Sequence, residues 1–158
     1  YAPSTRIYMQ FQNRFWENDS LSGWGNTDIP EEIWQPTWDL AGSTGIIMSY
    51  LRWTPAETMD ALSEQERINY VLSRWESIFP GATNNLESGV SQSWAQEEWS
   101  QGAWASPTSS QDTALANYIG LAEGRIHFAG EHASNDRGWM QGALVSGLRA
   151  ATEINNSN

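Results

Sequence analysis

Arg125-Ile126-His127-Phe128-Ala129-Gly130-Glu131, then a short polar loop, then Gly138-Trp139-Met140-Gln141-Gly142-Ala143-Leu144, is the stretch from which the rest of the chain is read. A short apolar run stops at a Gly-acid pair, and a Gly-Trp then opens a helical pattern. The spacing predicts strand, acid, loop and helix N-terminus. Such a unit grips a polar ligand from two sides. The acid accepts hydrogen bonds from hydroxyls, while free backbone N–H groups and the positive end of the helix dipole face an anion or a carbonyl.

The whole chain bounds what that ligand is. Its 158 residues are enough for one core. A formal net charge of -11 argues against nucleic acid and anionic membranes, because phosphate binding needs clustered Lys and Arg. No apolar run approaches the roughly 18 residues of a membrane span. The absence of cysteine excludes disulfides, thiolate ligands and cysteine nucleophiles. Two histidines without H-x-x-x-H spacing argue against a protein metal site. Ten tryptophans and an abrupt start at Tyr1-Ala2-Pro3 read as a piece of something larger.

Arg6 to Gln12 alternates, with Ile7, Met9 and Phe11 on one face, and predicts a half-buried strand. Ile29-Pro30 and Ile33-Trp34-Gln35-Pro36 predict short pieces interrupted by proline. Gly45 to Tyr50 is a continuous apolar run, the pattern of a central strand. Ser63 and Glu66 form a capping box, and Ile68, Val71, Leu72, Trp75 and Ile78-Phe79 keep a helical stripe until Pro80-Gly81. A shorter helix is predicted after Thr54-Pro55, a strand over Ser91 to Ala95, and two helical turns over Asp112 to Ile119. The last helix is predicted to carry Met140, Ala143, Leu144, Gly147, Leu148 and Ala151 on one side. Strands and helices mix without regular βαβ alternation, so the fold class is α+β. The long loops, Glu17 to Thr27 and Glu97 to Pro107, make sense if they pack on another chain.

The order of these motifs resembles the C-terminal part of flavin-dependent amine oxidases, especially L-amino acid oxidases. The matching pieces are Thr5-Arg6-Ile7 with Phe15-Trp16-Glu17, Thr27-Asp28-Ile29-Pro30, Gly45 to Tyr50, Trp99-Ser100-Gln101-Gly102-Ala103-Trp104 with Pro107, Arg125 to His132, and Gly138 to Ala151. The resemblance implies a two-domain fold of which residues 1–123 belong mostly to the substrate domain and 124–158 return to the FAD domain. It also implies non-covalent FAD. No G-x-G-x-x-G turn for a pyrophosphate follows a strand in this sequence. The expectation is therefore a processed oxidase, of which processed L-glutamate oxidases are the nearest kind. In it a companion chain carries the glycine motif, in a hetero-oligomer built as a dimer of processed protomers. Secretion is a further family expectation.

The resemblance assigns roles residue by residue. Gly130 and Glu131 match the family's Gly-acid pair, whose carboxylate binds the ribityl or nearby hydroxyls of FAD. Gly138, Trp139 and Met140 match the helix start at the flavin pyrimidine edge. There backbone N–H groups hold O2 and the dipole stabilises reduced flavin near N1. The Gly138 carbonyl is aimed at the substrate amine, and the Trp139 ring walls the substrate. Tyr50 matches the tyrosine that binds the substrate carboxylate. Arg6 departs from the family's usual lysine, which holds a water near flavin N5; an arginine can hold a water but does not act as a base. Arg52, two residues beyond Tyr50, shares its face and suits an acidic substrate side chain through a bidentate pair. Ala103 and Trp104 match a pocket-lining loop. His127 and His132 read as packing residues, and Trp16, Trp34, Trp38 and Trp75 as core or interface.

The implied reaction is oxidative deamination of an L-amino acid such as L-glutamate, with dioxygen as second substrate, to 2-oxo acid, ammonia and hydrogen peroxide. Three alternatives stay open at this level. They are a polyamine or aryl-amine oxidase, which has no need of Tyr50 as a carboxylate ligand, a flavin amino-acid monooxygenase, and a Trp-rich carbohydrate-binding module.

Overall fold

The alternation that begins near Arg6 becomes strand β1, Ser4–Phe11, with Ile7, Met9 and Phe11 buried. The computed structural model describes residues 1–29 and 31–157; Pro30, part of the expected Ile29-Pro30 piece, lies outside the described residues. The chain forms two compact units, Pro3–Gly102 and Tyr1–Ala2 with Ala103–Asn158.

In the unit Pro3–Gly102, β2 (Gly25–Asn26), β3 (Glu32–Trp34), β4 (Gly45–Arg52) and β5 (Leu86–Ser93) join β1 in one antiparallel sheet of order β2-β3-β4-β1-β5. The apolar run from Gly45 is its middle strand, as expected. β5 starts at Leu86, earlier than the predicted strand from Ser91. Its polar sequence hides the alternation, and pairing with β1 from Phe11↔Leu86 to Thr5↔Ser93 sets its limits. Helices α1 (Thr54–Asp60), α2 (Glu64–Ile78) and α3 (Ala82–Asn85) follow β4. The Ser63–Glu66 capping box is formed, and Ile68, Val71, Leu72 and Trp75 are buried on α2. They pack with Ile7, Met9, Phe11, Ile47 and Leu51 of the sheet in one core. Trp16 lies edge-on to Phe11 and Phe15 at its end, so Trp16 and Trp75 are core residues. Trp34 and Trp38 lie outside the core and are exposed on this chain.

The second unit contains α4 (Ser109–Leu115) and α5 (Met140–Asn156). α4 starts three residues before the predicted turns because Thr108 and Gln111 form a second capping box. The predicted strand over 125–129 is absent. A strand needs a hydrogen-bonded neighbour, and the one bridge there, Glu123↔Ile126, is local. α5 is helical as expected, but the stripe through Met140, Leu144 and Leu148 faces outward, 80%, 72% and 72% exposed. The small residues Gly142, Ser146 and Ala150, spaced by four, turn inward. A Cβ on Gly142 would overlap the Asp136 carbonyl oxygen, so the loop before α5 approaches as closely as only glycine allows.

Candidate cofactor and substrate site

In the second unit the candidate residues gather around Glu131, in a 3-10 turn Glu131–Ala133. Its Oε2 accepts from the Gly138 N–H at 2.7 Å and its Oε1 from the Ala105 N–H at 2.8 Å. The acid expected to meet cofactor hydroxyls is thus already engaged by two backbone donors. Gly138 adopts φ +76°, and a Cβ there would lie 3.3 Å from Trp104 Cδ1. Trp139 follows as the α5 N-cap, with no side-chain cap and no acid in the first turn. The positive end of this 17-residue helix is therefore not neutralised by its own residues. The Trp139 side chain beside it is 70% exposed. Gly130 is held by Ser146, whose buried Oγ accepts from the Gly130 N–H at 2.9 Å and lies 2.8 Å from its carbonyl oxygen. Ala103 and Trp104 pair with Ala2 through two backbone bonds of 2.9 Å. His127 is tied to Glu153 at 3.0 Å, the packing role expected of it.

In the other unit the sheet face opposite the core carries Arg6 and Tyr50, register partners on β1 and β4. The Arg6 guanidinium carbon lies 4.4 Å from the Tyr50 ring centroid. Burial opposes the Arg6 charge, but side-chain hydrogen bonds to Tyr8 and Tyr50 outweigh it and hold the guanidinium above the ordinary arginine range. A guanidinium is charged in any ordinary protein setting and does not act as a base. Arg52 also lies beside the Tyr50 ring, at 5.3 Å. Its guanidinium, however, is paired with Glu31 at 2.9 Å and Glu32 at 2.5 Å. The Arg52 N–H also donates to Glu31 Oε2 at 2.7 Å. Arg52 is thus engaged in an internal ion pair with Glu31 and Glu32.

Residues 1–155 match the family described as flavin containing amine oxidoreductase. The chain belongs to this family. Membership implies FAD as the cofactor. Among flavin amine oxidoreductases it is 39% identical to a putative L-amino-acid oxidase, YobN, of Bacillus subtilis (strain 168), over 98% of this chain and 34% of that protein. It is 34% identical to an L-amino-acid oxidase of Siganus canaliculatus, over 98% of this chain and 31% of that one. In fold it resembles the cyclohexylamine oxidase of Brevibacterium oxydans IH-35A, with a TM-score of 0.85 at 19% identity over 99% of this chain and 35% of that one. The chain thus spans about a third of the length of the curated relatives it matches.

Two participants escaped the sequence reading. Ala105 contributes only a backbone N–H, which leaves no residue-type signal. Ser146 was legible only as the polar member of the small-residue row Gly142, Ser146, Ala150. Among the described residues no group of three or more His, Cys, Asp or Glu is placed to hold a metal, and no helix is long and apolar enough to cross a membrane.

Proposed function

We propose that this chain is the part of an FAD-dependent L-amino acid oxidase that meets the pyrimidine edge of the flavin and binds the substrate carboxylate. The observation that carries the reading is the uncapped N-terminus of α5 beside the exposed Trp139, within a chain whose residues 1–155 match the family. These residues fit the cofactor. Backbone N–H groups at Met140 and the following turn suit an electron-rich carbonyl edge, and the helix dipole favours negative charge gathering there. FAD, when bound, supplies the hydride acceptor and passes the electrons to dioxygen.

The chain's own residues do the placing. Tyr50 offers its hydroxyl to the substrate carboxylate, in the positive field of Arg6. The Gly138 carbonyl accepts from the substrate amine, the Trp139 ring walls the substrate, and Gly130 and Met140 complete the cofactor side. By the family resemblance, Ala103 belongs to a pocket-lining loop. Arg6, permanently charged, holds a water rather than taking a proton. The balance is L-amino acid, water and dioxygen to 2-oxo acid, ammonia and hydrogen peroxide.

In this reading residues 1–123 serve mostly the substrate domain and 124–158 the FAD domain. The glycine turn for the pyrophosphate comes from polypeptide outside these 158 residues, in a processed oxidase from a companion chain. Secretion and L-glutamate enter through the family resemblance alone, since Arg52 is paired internally. The test is peroxide release by the native flavoprotein across the L-amino acids and against alkyl and aryl amines. Turnover of L-amino acids supports the proposal, and turnover of amines alone removes the carboxylate role of Tyr50 in favour of an amine oxidase.

A further inference from the structure

Two guanidiniums lie against the Tyr50 ring, and they are held differently. Arg6 reaches it from the neighbouring strand, as its register partner. Arg52 reaches it along β4 itself, because residues two apart on a strand share a face, and its guanidinium carbon lies 5.3 Å from the ring centroid. Glu31 fixes Arg52 there. Its Oε2 accepts from the Arg52 main-chain N–H at 2.7 Å, while its Oε1 accepts from Arg52 Nε at 3.1 Å and from Nη2 at 2.9 Å. One carboxyl group thus grips both the backbone and the side chain of Arg52, by charge-assisted bonds that hold the guanidinium beside the ring. Glu31 does so from a left-handed backbone, φ +59°, which few residues other than glycine adopt. Its carbonyl accepts from the Thr27 N–H at 2.7 Å, and its main chain bridges to Tyr50. We infer that Glu31 is a positioning residue: through Arg52 it fixes the Tyr50 ring, and with it the placement of the hydroxyl that receives the substrate carboxylate. The inference rests on the proposed role of Tyr50 for its kinetic consequence, and on the hydrogen bonds and ring contacts for the rest.

A residue in a strained turn can persist for the turn or for what its side chain holds. Two substitutions separate these. Glu31→Gln keeps the backbone demand but puts an NH2 group where one carboxylate oxygen faced an Arg52 donor. Glu31→Gly relieves the backbone and removes the carboxylate altogether. If Glu31 serves only the turn, Glu31→Gly behaves as wild type. If it positions Tyr50, both variants weaken substrate binding. Tyr50→Phe supplies the complementary control, since the ring stays for both arginines while the hydroxyl is gone. Without that hydroxyl, a change at Glu31 has nothing to misplace.

The experiment places Glu31→Gln and Glu31→Gly in the native flavoprotein, each with and without Tyr50→Phe. It reads kcat and KM for L-amino acids, and the fluorine NMR line of Tyr50 in fluorotyrosine-labelled protein, identified by its disappearance in Tyr50→Phe. Both Glu31 variants should raise KM by about 3- to 10-fold for every class of side chain, with kcat little moved, because the hydroxyl holds the carboxylate alike in the ground and transition states. In the Tyr50→Phe background the same substitutions should leave KM where Tyr50→Phe alone puts it. The Tyr50 line should shift in both. An unmoved line in both variants overturns the inference, as does a rise in KM of the same size with and without the Tyr50 hydroxyl, or a Glu31→Gly variant with wild-type KM. Tyr50→Phe with wild-type KM for L-amino acids defeats the carboxylate role of Tyr50 separately, and the fluorine line still decides whether Glu31 holds the ring.

Discussion

Arg6 and Tyr50 are register partners on adjacent strands, with the guanidinium carbon 4.4 Å from the ring centroid. Hydrogen bonds to Tyr8 and Tyr50 outweigh burial and raise the Arg6 pKa above the ordinary arginine value. An Arg6→Lys variant places a group with an ordinary pKa near 10.4 in the same partly buried position, where desolvation pulls it down. The rate of flavin reduction in Arg6→Lys should therefore fall as pH rises toward about 10, a limb the wild type lacks. Superimposable pH profiles would show that the charge at this position does not act on the reaction.

The pairing of Arg52 with Glu31 and Glu32 predicts a structural effect. Arg52→Ala should lower stability by about 1 kcal/mol, since a third of the side chain is exposed and solvent screens the pair. Any rise in KM should be the same for acidic and neutral amino acids. A selective loss on L-glutamate would restore Arg52 as a specificity residue.

Ser146 Oγ accepts from the Gly130 N–H and lies 2.8 Å from the Gly130 carbonyl oxygen, which also accepts from the Ala133 N–H. Ser146→Ala leaves an N–H and a C=O without this partner, at a cost of about 1–3 kcal/mol. Thermal or urea unfolding of the native protein measures it, and an unchanged midpoint would mean that Gly130 is held by something else.

Glu76 carries a pH prediction. Its carboxylate accepts from the Thr83 and Gly81 backbone N–H groups and the Thr83 hydroxyl, beyond the end of α2, and these bonds lower its pKa. A depressed folded-state pKa means stability that is complete above the unfolded value near 4.3 and is lost as pH falls through the folded one. Glu76→Gln should be less stable than wild type at pH 7, and the gap should close on acidification below about pH 4. A gap constant from pH 7 to 3 would remove Glu76 from the acid response.

The legible parts of the fold were those with local causes. The capping box at Ser63 and Glu66, the helical stripe from Ile68 to Trp75 and the alternation of β1 each depend on neighbours a few residues away. The predicted strand over 125–129 depends on a pairing partner, and no sheet exists in that unit among the described residues. α5 shows the same limit in another form. Its apolar stripe was readable, yet the row that turns inward is Gly142, Ser146 and Ala150, because the loop at Asp136 comes too close for a larger residue. Sequence also located Glu131 and Gly138 without disclosing that one holds the other, since a backbone N–H carries no residue-type signature.

On the proposed function these residues form the flavin-side wall while the diphosphate turn lies on polypeptide outside them. Intact mass and visible absorption of the protein isolated from its native source test this arrangement. The expected result is a yellow particle with one FAD per copy of this stretch, together with polypeptide bearing the glycine-rich turn. A colourless native protein, or the 158-residue chain alone carrying stoichiometric FAD, would contradict it.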